Sequence, residues 1–140
     1  MNKDKLDNFQ GLTKEIIHLF DFKTIKFDRN ECTCDILVEP KNCNSNGEID
    51  NGTLIALIDS FSSYAIMFLV PKENYKHYLS VNISMISFKE TTKNDPKITI
   101  KVTLEKQYER NILLDIRVYD STGNEIKHLS HLKRKLASKL

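Results

Sequence analysis

The chain has 140 residues, the size of one domain spanning 1–140, and a domain of that size buries roughly 68–70% of its unfolded surface. A hydrophobic fraction of 40%, a charged fraction of 29% and a net charge of +2 describe an ordinary globular protein and exclude a general attraction to nucleic acid. Three cysteines, Cys32, Cys34 and Cys43, form no CxxC pair, and an odd count argues for a reducing compartment rather than a disulfide framework.

The opening MNKDKLDNFQ has no apolar segment of the kind a secretory signal needs. Asp4 and Asp7 without an arginine also make a poor mitochondrial presequence, so a cytoplasmic protein is expected. Residues 4–20 carry Leu6, Phe9, Leu12, Ile16, Leu19 and Phe20 at helical spacing and predict an amphipathic helix. Residues 23–28 alternate through Ile25 and Phe27, a first strand. Cys32, Cys34, Ile36 and Val38 share one face of a second, which Pro40 ends. The three thiols have no partner histidine, and Cys32 and Cys34 read as core residues.

Residues 41–50, KNCNSNGEID, are rich in turn formers and lead into the longest apolar stretch of the chain. A helix beginning near Asn51 puts Leu54, Leu57, Ile58, Phe61, Ala65 and Phe68 along one stripe. Asp59 falls on the opposite side beside Ile55, Ser63 and Ile66. That side is too apolar for a solvent face, so the carboxylate must be paired, neutralised or used. Read alone, it is a buried acid satisfied by a serine or a backbone group. With its serines and Asp59, the run is expected to be too short and too polar to cross a bilayer, so no membrane insertion is expected.

Beyond Pro71 the period becomes two. Leu79, Val81, Ile83 and Met85 alternate with Ser80, Asn82 and Ser84. Two further alternations run from Ile98 to Leu104 and from Ile112 to Val118, and a weaker one from Ile126 to Leu132 precedes the basic tail LKRKLASKL. Consecutive alternations predict antiparallel strands, each with one buried face. The expected order is helix, two strands, long buried helix, then four strands in a meander. A single helix must cover about six strands, so an α+β fold with a curved antiparallel sheet around a central helix is predicted.

Asn44-x-x-Gly47, Asp50-Asn51-Gly52 and the acid Asp59 on the helix resemble the signature of hotdog-fold acyl-CoA thioesterases. The likeness is to the phenylacetate-degradation-type and thioesterase-superfamily-member-2 group. Leu79-Ser80-Val81-Asn82 resembles that group's Ser-Val-Asp strand, and Ser130-His131-Leu132-Lys133 its closing Arg-His-Thr-Lys. The resemblance implies hydrolysis of a fatty or aromatic acyl-CoA, with Asp59 as general base or nucleophile. It also implies that Asn51 and Asn44 polarise the thioester carbonyl and that Ser80 orients water. Substrate contacts extend to Asp50, Gly52 and Asn82. No cofactor is implied beyond coenzyme A as part of the substrate. The family's sites are shared between subunits, which implies a homodimer, commonly paired again into a tetramer.

The chain departs from the pattern where the family has His-Gly and this sequence has Asp50-Asn51. Aspartate is among the best helix caps, and that is the reading preferred here for Asp50. The basic residues His131, Lys133, Arg134 and Lys135 are candidates for the phosphates of coenzyme A, against the plainer reading of a solvated charged tail. His128 and His131 face opposite sides of their strand and make no metal site. The rival from another class is a catalytically impaired hotdog module that binds acyl-CoA or a protein partner. A dehydratase of the same fold is weaker, because no histidine lies on the loop before the helix.

Overall fold

The computed structural model describes residues 17–70, 78–92 and 94–137. Most of the expected N-terminal helix, with Leu6, Phe9, Leu12 and Ile16, lies outside them. Its last two positions do not belong to a helix core: Leu19 is buried and Phe20 already opens a strand. Six strands follow, β1 (Phe20–Asp28), β2 (Glu31–Leu37), β3 (Tyr78–Ser87), β4 (Lys97–Tyr108), β5 (Asn111–Tyr119) and β6 (Glu125–Lys135). One long helix, α1 (Asn51–Leu69), stands between β2 and β3.

All pairings are antiparallel, and the strands lie in the order β1-β2-β4-β5-β6-β3. The expected α+β fold, an antiparallel sheet of six strands against a central helix, is what forms. The expected four-strand meander is not. Only β4, β5 and β6 run in sequence, while β3 pairs with β6 at the far edge. The chain must then cross back over three strand spacings, about 14 Å, to begin β4 beside β2. Nine residues, 88–96, make that crossing, and their extended reach of about 30 Å is ample. Backbone bonds pin the crossing at both ends: Phe88 N–H donates to Ile126 C=O and Val38 N–H to Pro96 C=O.

The inner face of the sheet is built by period-two alternation. Cys32, Cys34, Ile36, Ile98, Ile100, Val102, Ile112, Leu114, Ile116 and Val118 are all buried, and each large side chain among them contributes roughly 1.5–3 kcal/mol. Against them α1 lays Leu54, Leu57, Ile58, Phe61 and Ala65, as its spacing predicts. Phe68, expected in that stripe, is instead exposed at the helix end, where its ring stacks on Phe27 at 3.7 Å between centroids. The helix is 19 residues long, and by length and composition it reaches that of a membrane span, contrary to the shorter, more polar run expected. Its apolarity is accounted for by the sheet packed along it.

β6 is longer than its sequence signal. Its inward positions are Lys127, Leu129, His131 and Lys133, all buried, so the apolar alternation is interrupted by three basic side chains. Lys127 is held by Ser87 Oγ at 2.7 Å and the Lys89 carbonyl at 3.1 Å. The expected basic tail is therefore strand as far as Lys135. The outer face is charged, with Arg117 bridging Asp115 and Glu125.

Candidate active site around Asp59

The start of α1 is set by Asp50. Its carboxylate accepts from Thr53 N–H at 3.0 Å, and its carbonyl takes Leu54 N–H at 3.0 Å. This is the expected cap, satisfying one of the N–H groups a helix leaves open. Gly52 makes room for it: a Cβ there would stand 2.9 Å from Asp50 Oδ2. Upstream, the Asn44 side chain accepts from Asn46 N–H at 2.9 Å and Glu48 N–H at 3.1 Å. It closes a turn in which Gly47 holds φ 77, a conformation that costs glycine little. Asn44 is thus engaged in its own loop, and Asn51 is exposed at the first helical position.

Two turns further on, Asp59 presents a carboxylate that is 47% exposed, not the enclosed group its apolar neighbours predict. Ser80 Oγ donates to Asp59 Oδ1 at 3.0 Å, and His131 Nε2 stands 3.3 Å from the same oxygen. Ser80 reaches inward because β3 is bulged. Ser80 pairs with Lys133 and Asn82 with Leu132, so Val81 is the extra residue and the alternation reverses across it. Tyr78 and Ser80 face the helix on one side of the bulge, Ile83 and Met85 on the other. Leu79 and Val81, expected in the core, are 54% and 57% exposed. Asn82, paired with outward-facing Leu132, lies on the face of β3 away from Asp59.

Helical spacing supplies the floor of the site. Ser62 and Ser63, three and four residues after Asp59, point back along the helix. Ser63 Oγ donates to the Asp59 carbonyl at 2.7 Å and accepts from Lys133 Nζ at 2.8 Å. Ser62 Oγ is 2.7 Å from His131 Nδ1. Ser62 Oγ also donates to the Asp59 carbonyl at 3.1 Å; the imidazole proton is placed on Nε2 because that nitrogen faces the acceptor Asp59 Oδ1 at 3.3 Å. Burial, reinforced by the Lys133 charge, brings the His131 pKa down to about 4 against the pull of Asp59. The ring is therefore neutral at neutral pH. Burial also lowers the pKa of Lys133, again against the attraction of Asp59.

The structure thus gathers Asp59, Ser80, His131 and Lys133. It leaves Asn44, Asp50, Asn51 and Gly52 at the other end of the helix N-terminal half. His131 and Lys133 are enclosed beneath α1 rather than solvated as a basic tail. Ser62 was not singled out from the sequence, although its spacing from Asp59 marks it. His128 lies on the outer face, hydrogen-bonded to Asp115. The Cys32 and Cys34 thiols are pushed up to about 12, chiefly by burial, so both are unreactive core residues.

No protein-family model matches the chain, and no curated protein matches its sequence. Solved structures do match its fold. A hypothetical thioesterase from Streptococcus pneumoniae, solved with coenzyme A, superposes with a TM-score of 0.77 at 16% identity, covering 99% of this chain and 98% of that one. Zebrafish thioesterase superfamily member 2 gives 0.77 at 16% identity, over 94% and 93% of the two chains. The PaaI protein of the Escherichia coli phenylacetic acid degradation operon gives 0.68 at 13% identity, over 79% and 81%. The class is settled at the level of architecture: the chain has the hotdog fold of these thioesterases.

Proposed function

We propose that this protein is an acyl-CoA thioesterase that hydrolyses a fatty or aromatic acyl-CoA to the free acid and coenzyme A. The observation that carries the reading is the half-exposed Asp59 carboxylate, anchored through one oxygen by Ser80. As general base it accepts a proton from water while the water oxygen attacks the thioester carbon. The carbon–sulfur bond then breaks and the thiol leaves with a proton. Donors for the oxyanion are assigned to the opening N–H groups of α1 at Asn51, aided by the helix dipole.

One chain does not bring these parts together. Asn51 and Asp59 are eight positions apart, about 12 Å along a helix, whereas an oxyanion donor must lie about 3 Å from the oxygen it stabilises. A second copy supplying the other half resolves the mismatch. β3 is suited to meet it: among the described residues it is an edge strand paired with β6 alone, and it exposes Leu79 and Val81. An edge of this kind is a ready template for a further strand. The homodimer, paired again into a tetramer, and a cytoplasmic location complete the reading.

The test is thiol release from acyl-CoAs of two to eighteen carbons and from phenylacetyl-CoA. Wild type is expected to turn over some of this panel, and Asp59→Asn to lose about 10²–10⁴-fold while keeping its oligomeric state in sedimentation. Asp50, at the position where the resembling family has histidine, is engaged as the helix cap. Acyl-CoA binding by calorimetry without thiol release would therefore replace the hydrolase by a binding module.

A further inference from the structure

Lys133 is buried to 3% exposure, yet no carboxylate lies within ion-pair distance of it among the described residues. Its partners are two hydroxyls, Ser63 Oγ at 2.8 Å and Ser80 Oγ at 3.1 Å. Both of those serines donate to Asp59, Ser63 to its carbonyl and Ser80 to its carboxylate. An enclosed ammonium is costly to keep, and this one donates to two serines that both donate to Asp59.

The directionality follows from counting donors. An ammonium has three protons and no lone pair, and a serine hydroxyl has one proton and two lone pairs. Ser80 Oγ has three neighbours: Lys133 Nζ, His131 Nε2 at 2.9 Å and Asp59 Oδ1 at 3.0 Å. Lys133 can only donate, and the Nε2 proton of neutral His131 occupies the second lone pair. The serine proton has one place left to go, Asp59 Oδ1. Asp59 Oδ2 has no hydrogen-bond partner among the described residues.

We propose that Lys133 is a positioning residue: it locks the Ser80 hydroxyl as a donor to Asp59 Oδ1 and so reserves Oδ2 as the oxygen that takes the proton from water. The assignment rests on Asp59 being the base of a thioesterase. It differs from a phosphate-binding role for the basic residues of β6, in which Lys133 would touch the substrate. Without the ammonium, the Ser80 oxygen has a free lone pair, the hydroxyl turns, and the carboxylate loses its fixed orientation.

The experiment is a double-substitution cycle with Lys133→Met and Ser80→Ala, each checked for fold by circular dichroism. Lys133→Met is expected to lower kcat about 10–100-fold, the loss of one hydrogen bond to a charged group, with KM changed less than about threefold. The double variant is expected to be no slower than Ser80→Ala alone, because Ser63, the other partner of Lys133, bonds the Asp59 carbonyl and only Ser80 links the ammonium to the carboxylate. A raised KM with unchanged kcat, or losses that multiply, overturns the proposal. A second readout needs no turnover: the carboxyl carbon resonance of Asp59 at pH 7.5. Lys133→Met is expected to move it in the wild-type background and not in the Ser80→Ala background. A shift of equal size in both backgrounds overturns the positioning role, whereas an inactive wild type with the expected resonances sinks only the thioesterase reading.

Discussion

Ser80 Oγ lies 3.0 Å from Asp59 Oδ1 because the strand that carries it is bulged at the very next residue, Val81. The bulge turns a residue of the outward set into the only hydroxyl on β3 that meets the helix acid. Deleting Val81 is expected to restore plain alternation with Ser80 still opposite Lys133 and facing Asp59, because Ser80 then directly precedes the outward-facing Asn82. The side chain of Val81 is largely exposed, so its loss itself costs little. The expected outcome is a folded protein by circular dichroism whose thiol release stays well above that of Ser80→Ala. Thiol release reduced as far as in Ser80→Ala would mean that β3 re-registers and Ser80 leaves the inner face when Val81 is removed.

His131 gives stability a definite pH dependence. Its folded-state pKa of about 4 lies below the ordinary 6.5, so between these values the unfolded chain binds a proton that the folded one refuses. Stability is then complete above pH 6.5 and falls as the pH drops toward 4, by roughly 3 kcal/mol in all. His131→Gln is expected to flatten urea-derived stability between pH 6.5 and 4.5 relative to wild type. Equal slopes for the two proteins would contradict the assignment of a neutral buried ring.

The cap and the glycine beside it are coupled. Asp50→Ala removes the acceptor for Thr53 N–H, an expected loss of about 1 kcal/mol. Gly52→Ala should gain up to about 1 kcal/mol of helix propensity, but its methyl meets Asp50 Oδ2 at 2.9 Å. The substitution is therefore expected to help in the Asp50→Ala background and not in the wild type. Additive denaturation midpoints would show that the contact relaxes without cost.

Glu109 closes the β4–β5 hairpin at φ 51, a left-handed conformation that costs a side-chain-bearing residue roughly 1 kcal/mol or more. Glu109→Gly is expected to raise stability by about 0.5–1 kcal/mol with activity unchanged, read from urea denaturation. A destabilised variant would point to a Glu109 side-chain contact that outweighs the strain.

The helix was legible from Leu54 to Ala65 because its apolar spacing is regular and Asp50 marks its start. The strands were legible because Ile, Val and Leu recur every second residue from Ile98 to Leu104 and again from Ile112 to Val118. Sheet order was not. Nothing local distinguishes β3 paired with β4 from β3 paired with β6, since that choice depends on what the crossing residues 88–96 can span. Nor was the bulge legible, because Leu79-Ser80-Val81-Asn82 alternates equally well with either set inside. The burial of His131 and Lys133 was hidden for a related reason: basic side chains read as surface until their partners Ser62 and Ser63, some seventy positions away, come into view. Asp59 and Ser80 were both singled out from the sequence, but the surroundings of Asp59 were misjudged, as the carboxylate proves half open to solvent.

The order of the elements along the chain also has a bearing on how the protein is made. α1 ends at Leu69, and four of the six strands that enclose it lie in the 66 residues that follow, up to Lys135. At the usual pace of synthesis those residues take roughly 3–13 s to add. During that time the most apolar segment of the chain has left the decoding centre ahead of most of its cover. β4, on which the helix packs most closely together with β2, is completed only at Tyr108. A ribosome stalled before that point would carry a bare apolar helix, a ready target for a chaperone. The native core is thus a late event in the life of the nascent chain.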